Sequence, residues 1–182
     1  NHIGCGHTFA AIDGALELVR RHGLRASDIR HVHVATYGPA LDIACYEDPR
    51  TENEARFSLR FVVATALVHG SVRLAAYTPE RLADADTRAM MARITAVVDP
   101  QLDAAFPGRR SAHVEIETAD GQRHAWLQPD RKGDPELPLS DAELEDKFRE
   151  LASPVIGAGR AQGLLQRLGG LDRAGDLQGL GA

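Results

Sequence analysis

Residues 111–128 run SAHVEIETADGQRHAWLQ, and their alternation decides what class of fold this chain can adopt. Val114 and Ile116 alternate with His113, Glu115 and Glu117 up to Asp120-Gly121, and a second short run follows from Arg123 to Gln128. Period two, with one oily and one wet face, is the pattern of strands half-buried in an antiparallel sheet. Asp-Gly supplies the positive φ that a tight hairpin turn requires. Counting outward from a two-residue turn pairs Ile116 with Ala125 and Val114 with Leu127 on the core face. The same count sets Glu117 against His124 and Glu115 against Trp126 on the wet face.

Such a hairpin must bury its oily face against other elements, and the flanking sequence supplies them. Upstream, Phe9, Ile12, Leu16 and Val19 recur at helical spacing after Thr8, a residue able to cap, and Gly23 closes a helix over 9–22. Val32 and Val34 alternate with His31 and His33 in a strand over 29–37. Residues 38–52 read as a long loop with at most one helical turn near 41–46. Residues 53–69 are apolar on nearly every side, as a helix in the centre of a fold would be, and Gly70 ends them. Thr78-Pro79 opens a short helix to Leu82, residues 86–92 form another, and 94–98 is a short β-type run. Ser140 and Glu143 form a capping box for a helix over 141–152. Beyond Pro154, where eight of the 17 glycines fall, weak helices are expected at 161–168 and 171–178. The expectation is an α+β fold: an antiparallel sheet of about four strands packed on helices, over residues 1–152, with a helical tail over 153–182.

With 182 residues, 43% of them hydrophobic, the chain can fill one core of ordinary size. A formal charge of −5 and a pI near 5.9 give phosphate or anionic headgroups no long-range attraction, so neither nucleic acid nor membrane is the expected partner. Cys5 and Cys45 form neither a disulfide framework nor a zinc knuckle, which fits a reducing, cytoplasmic setting. The longest apolar stretch, 57–68, is interrupted by Ser58, Arg60 and Thr65 and falls short of the ~20 residues of a membrane span. The chain opens at Asn1 and enters a packed helix almost at once, so a cut inside a longer protein is expected.

Several residues could carry chemistry. His31 and His33 point the same way on a strand and resemble a metal pair, but no third ligand stands at a sensible spacing, and an exposed strand face explains them as well. No metal is expected. Residues 157–163, GAGRAQG, imitate a dinucleotide loop with the third glycine one place late and no strand before it. Arg56 and Arg60, four apart, could share one helix face and clasp a carboxylate, or form a solvated or intersubunit basic face. His7, beside Cys5 and Thr8 at the start of the first helix, could polarise or protonate a bound carboxylate, or simply begin a helix.

The run from Cys5 to Asp13, CGHTFAAID, resembles the helix-opening segment of MmgE/PrpD proteins. Two further blocks agree in order: EARFSL at 54–59, followed by Ala64, Ala66-Leu67 and Gly70, and Pro138-Leu139-Ser140 with Lys147-Phe148. Asp120-Gly121 matches a recurrent turn between them. The resemblance, over about 5–151, implies the smaller α+β lid of a dimeric enzyme that uses no metal or organic cofactor. It implies a di- or tricarboxylate substrate and a helical N-terminal domain as partner. The family includes 2-methylcitrate dehydratase, cis-aconitate decarboxylase and iminodisuccinate epimerase, so membership does not fix the reaction. The dehydratase type has its histidine where His7 stands, while other relatives have one at the place of Phe9. Arg60-Phe61 replaces a frequent Pro-Tyr, so no tyrosine role carries over there. By this resemblance the chain is expected to be a 2-methylcitrate dehydratase-like lid, of a type that serves propionate metabolism, with little activity by itself. His7 would be the acid/base or carboxylate-polarising group, with Thr8 and Arg60 touching substrate. The competing class is a non-catalytic dimerisation module.

Overall fold

The computed structural model describes residues 1–175. In chain order its helices are α1 (Phe9–His22), α2 (Gly38–Ile43), α3 (Glu52–Arg56), α4 (Leu59–His69), α5 (Pro79–Leu82), α6 (Ala85–Met91), α7 (Pro100–Ala105), α8 (Asp141–Ile156) and α9 (Ala158–Gly169). The strands are β1 (Ile29–Thr36), β2 (Ile94–Val98), β3 (Ala112–Thr118) and β4 (Arg123–Gln128). By packing, the chain divides into two units, His2–Leu137 and the part from Pro138 on.

In the first unit the four strands form one sheet in the order β2-β1-β3-β4. The α+β class and the strand number are those the patterning predicts. The sheet is mixed, however: β2 joins β1 in parallel, with Val34 opposite Ala96, while β1, β3 and β4 pair antiparallel. A parallel neighbour needs a long crossover, and residues 37–93, carrying α2 to α6, supply it.

The hairpin departs from the expected register by one residue. Val114 faces Trp126 and Ile116 faces His124, which makes the loop Ala119-Asp120-Gly121. The Asp120 carboxylate accepts from the Gln122 N–H and the Thr118 hydroxyl, and Gly121 takes φ +85, so three residues close the turn. Because side chains alternate, the slip inverts all of β4: His124 and Trp126 turn toward α1, and Leu127 is exposed. His124 therefore stacks on His22, with ring centroids 3.9 Å apart, rather than pairing with Glu117, and the Arg21 guanidinium lies over Trp126.

α1 lies against β3 and β4 on one side and α4 on the other, burying Ala11, Ile12, Ala15 and Leu18. Gly14 is where helix and sheet meet: a Cβ there would come within 3.0 Å of Val114 Cγ2. Thr8 does not cap α1. A 3₁₀ turn, Gly6–Thr8, precedes the helix, and the Thr8 hydroxyl donates to the Cys5 carbonyl instead.

The helix expected over 53–69 is two helices. Phe57 leaves helical geometry and Ser58 restarts the chain as a cap, accepting from the Phe61 N–H. Ser58 also bridges to Cys45, tying down the segment expected to be a loop, part of which is α2. α4 is buried nearly all round, from Leu59 to Leu67. α7 has no counterpart in the sequence reading, although Asp99-Pro100 is a cap followed by proline at the first helical position.

In the second unit, α8 starts at the predicted capping box and runs through Pro154 to Ile156, past the expected end at Ala152. A proline this near a helix end forfeits only the bond to Glu150, and Gly157, at φ +84, turns the chain into α9. The Arg149 guanidinium donates to Gln162, linking the two helices. α8 has no buried residue and α9 buries only Ala161, leaving Leu144, Leu151, Val155 and Leu168 exposed. Of the weak helix expected over 171–178, a 3₁₀ turn at Leu171–Arg173 is present and residues 176–178 lie outside the described residues. Among the described residues, no helix is long and apolar enough to cross a membrane.

Candidate functional site

The approach to α1 is stitched in place by backbone. Ile3 N–H donates to the Val72 carbonyl at 2.9 Å and Cys5 N–H to the Arg56 carbonyl at 3.0 Å. The Tyr77 hydroxyl donates to the Ile3 carbonyl, and it lies so close to Gly4 that a Cβ there would clash at 2.7 Å. This strap delivers His7 to the mouth of α1.

His7 meets the residues that follow β1. Tyr37 immediately precedes α2 and is wholly buried, with its hydroxyl 3.0 Å from His7 Nδ1. Phe106, just after α7, stacks on Tyr37 at 4.8 Å between centroids and lies 6.2 Å from the His7 ring. Burial pushes the Tyr37 phenol up to about 12 against the pull of Arg110 and Arg131, so it is a protonated donor at neutral pH. Burial also lowers the His7 pKa from its ordinary 6.5, helped by the charges of Arg110 and Arg131, so the imidazole is neutral near pH 7. His7 Nε2 has no partner among the described residues.

Two guanidinium groups give this corner its charge. Arg131 is locked: it grips Asp134 with two nitrogens at 2.8 and 2.7 Å and reaches the Gly6 carbonyl with the third at 3.2 Å. Its loop is anchored by Asp13, which accepts from the Lys132 N–H at 2.8 Å and contacts His2 Nε2 at 2.8 Å with its other oxygen. Arg110 is half-buried and close enough to bias His7, Tyr37 and Asp134, yet it has no hydrogen bond or ion pair among the described residues. A cation without a partner beside a neutral imidazole and an aromatic wall can take a carboxylate: the guanidinium supplies charge and the imidazole a directed hydrogen bond.

The three residues singled out from sequence are not brought together. His7 is in the cluster. Thr8 adjoins it in the chain, but it is fully buried with its hydroxyl committed to Cys5. Arg60 belongs to another surface, where it pairs with Glu47 at 3.6 Å beside a recess of 280 Å³ lined by Leu41, Cys45, Tyr46, Leu59 and Ala96. The Arg56–Arg60 clasp does not form, because the break at Phe57 separates the two and Arg56 pairs with Glu52 over the Tyr77 ring. Cys5, beside His7 in sequence, is a buried thiol whose pKa burial raises, which keeps it inert. His33 is held by Thr95 at 3.1 Å on the sheet, and no cluster of three or more His, Cys, Asp or Glu among the described residues is placed to hold a metal.

Sequence reasoning missed Tyr37, Phe106, Arg110 and Arg131. The available signals were a tyrosine at the C-terminal end of a strand and an arginine doublet after Pro107-Gly108. Neither has a period, and their convergence is tertiary.

Comparison with known proteins bears on this geometry. The family described as the MmgE/PrpD C-terminal domain matches residues 2–168. A cis-aconitate decarboxylase-like protein, oryM, of Aspergillus oryzae is 29% identical over 136 residues, covering 74% of this chain and 27% of that protein. The chain thus spans about a quarter of the length of that relative.

Proposed function

This chain belongs to the MmgE/PrpD family, and from that premise we propose that it is the lid-type part of a cofactor-independent lyase acting on a di- or tricarboxylate. The observation that carries the reading is Arg110, without an ion pair, beside the neutral imidazole of His7. The reaction proposed is dehydration of the 2-methylcitrate type: a proton leaves the carbon next to a carboxylate, negative charge gathers on that carboxylate, and water is expelled. Such a step needs groups that stabilise the gathering charge and a base that takes the proton. His7 and Arg110 serve the first need; Thr8 holds the turn that carries His7, while Arg60, paired with Glu47 on a separate surface, would touch substrate only through a part of it that reaches beyond the His7 cluster.

The remaining groups would come from a helical domain outside these residues. Residues 1–152 would form the lid and residues 153–182 would return to that domain. Exposed Val155 on α8 and Leu168 on α9 support the return of the tail, since such side chains gain stability only when covered. The intact enzyme is proposed to be a cytoplasmic homodimer and the chain alone to be inactive.

A second reading, decarboxylation, is favoured by the name of the Aspergillus relative and opposed by Phe9, at the place where the family resemblance puts a histidine in several relatives other than the dehydratase type. Product analysis on the intact protein separates the two. Water loss from 2-methylcitrate without CO₂ release supports the proposal. Release of CO₂ from cis-aconitate would replace it with the second reading.

A further inference from the structure

We propose that Tyr37 is a positioning residue that holds His7 in the Nε2–H tautomer, making the imidazole a neutral hydrogen-bond donor to the substrate carboxylate rather than the base. The inference rests on the reading of His7 as a site residue and assigns its role within it. Tyr37 is wholly buried, and its hydroxyl has one partner among the described residues, His7 Nδ1 at 3.0 Å. Two neutral arrangements fit that distance. If Nδ1 carried the proton and donated to the phenol, the tyrosine O–H would be a buried donor with nothing to accept it, and its lost hydration would go uncompensated. If the phenol donates to a bare Nδ1, every buried donor is used and the imidazole proton sits on Nε2, the nitrogen left without a protein partner.

The surroundings favour the same state. Arg110 and Arg131 both oppose imidazolium formation, Asp134 is occupied by Arg131, and the Cys5 thiol is protonated. Phe106 stacks on the Tyr37 ring with centroids 4.8 Å apart, so the ring cannot turn toward a second acceptor without breaking that stack. A neutral Nε2–H aimed at a carboxylate oxygen strengthens its bond as charge builds there, and it transfers no proton. The base must therefore be supplied by another residue, outside the His7 cluster.

The test is solid-state NMR on the intact protein labelled with ¹⁵N-histidine, His7 being identified by difference against His7→Gln. A bare Nδ1 and a protonated Nε2 near neutral pH, with Tyr37→Phe shifting the ring toward the other tautomer and lowering kcat/KM about tenfold, is the expected result. A proton on Nδ1 in the wild type would overturn the assignment while leaving His7 in the site. The wild-type spectrum decides this even should Tyr37→Phe fail to fold. Full turnover by His7→Ala would instead remove the histidine from the reaction, and this role with it.

Discussion

The unit His2–Leu137 and the helices from Pro138 on draw on similar residue types and bury them differently. In the first, Ile12, Leu18, Val32, Val34, Phe61, Val62, Val63 and Ile116 are wholly enclosed. In the second, α8 is well capped and regular over sixteen residues, yet it buries no side chain and leaves Val155 81% exposed. Capping and propensity are thus enough to define a helix in sequence, whereas stability comes from the face it covers. One unit carries its own core; the other leaves Leu144, Leu151 and Val155 exposed along one helix.

Substitutions in the two units should differ in the same way. Leu18→Ala should cost about 2–5 kcal/mol by urea denaturation of the chain, whereas Val155→Ala should stay within about 0.5 kcal/mol. Similar costs at the two positions would end the contrast. In the intact enzyme His7→Ala, which removes one hydrogen-bond donor to the gathering charge, should lower kcat by about 10²-fold, and a near-wild-type rate would leave the His7 cluster without a catalytic role. Asp13→Ala, which frees both His2 and the Lys132 amide, should cost about 1–3 kcal/mol and loosen the loop that carries Arg131. Proteolysis concentrated at 130–134 would report the loosening, and unchanged cleavage would deny Asp13 that function.

The smallest effect is one of pH. Because the folded pKa of His7 lies below 6.5, the folded chain binds fewer protons than the unfolded chain between the two values. The stability His7 contributes is present above the unfolded value and is lost as pH falls through the folded one. Urea midpoints compared between pH 7.5 and 5.5 should therefore drop further for wild type than for His7→Gln. Parallel profiles would mean that burial and the two arginines leave the ring unperturbed.

Much of this architecture was legible. α1 and β2 run over the residues expected of them, and the β3 and β4 segments were read from alternation alone, because one buried face imposes its period on the sequence. Their register was not, since a strand count reads Asp-Gly as the whole turn and cannot see the Asp120 carboxylate drawing Gln122 and Thr118 into a three-residue loop. The break in the central helix was hidden for a related reason. Ser58 is a fine cap, but it sits in a run apolar enough on both sides to read as continuous. The site was the least legible part. His7 could be singled out from its neighbours, whereas Tyr37, Phe106 with Arg110, and Arg131 come from three places in the chain and share no period.

As proposed, this site works only when helices outside these residues complete the pocket. Turnover of 2-methylcitrate measured side by side on the purified 182-residue chain and on the chain joined to its helical domain tests it most directly. No turnover by the chain alone and dehydration by the joined protein are the predicted results; equal rates from the two would mean that the pocket is already complete.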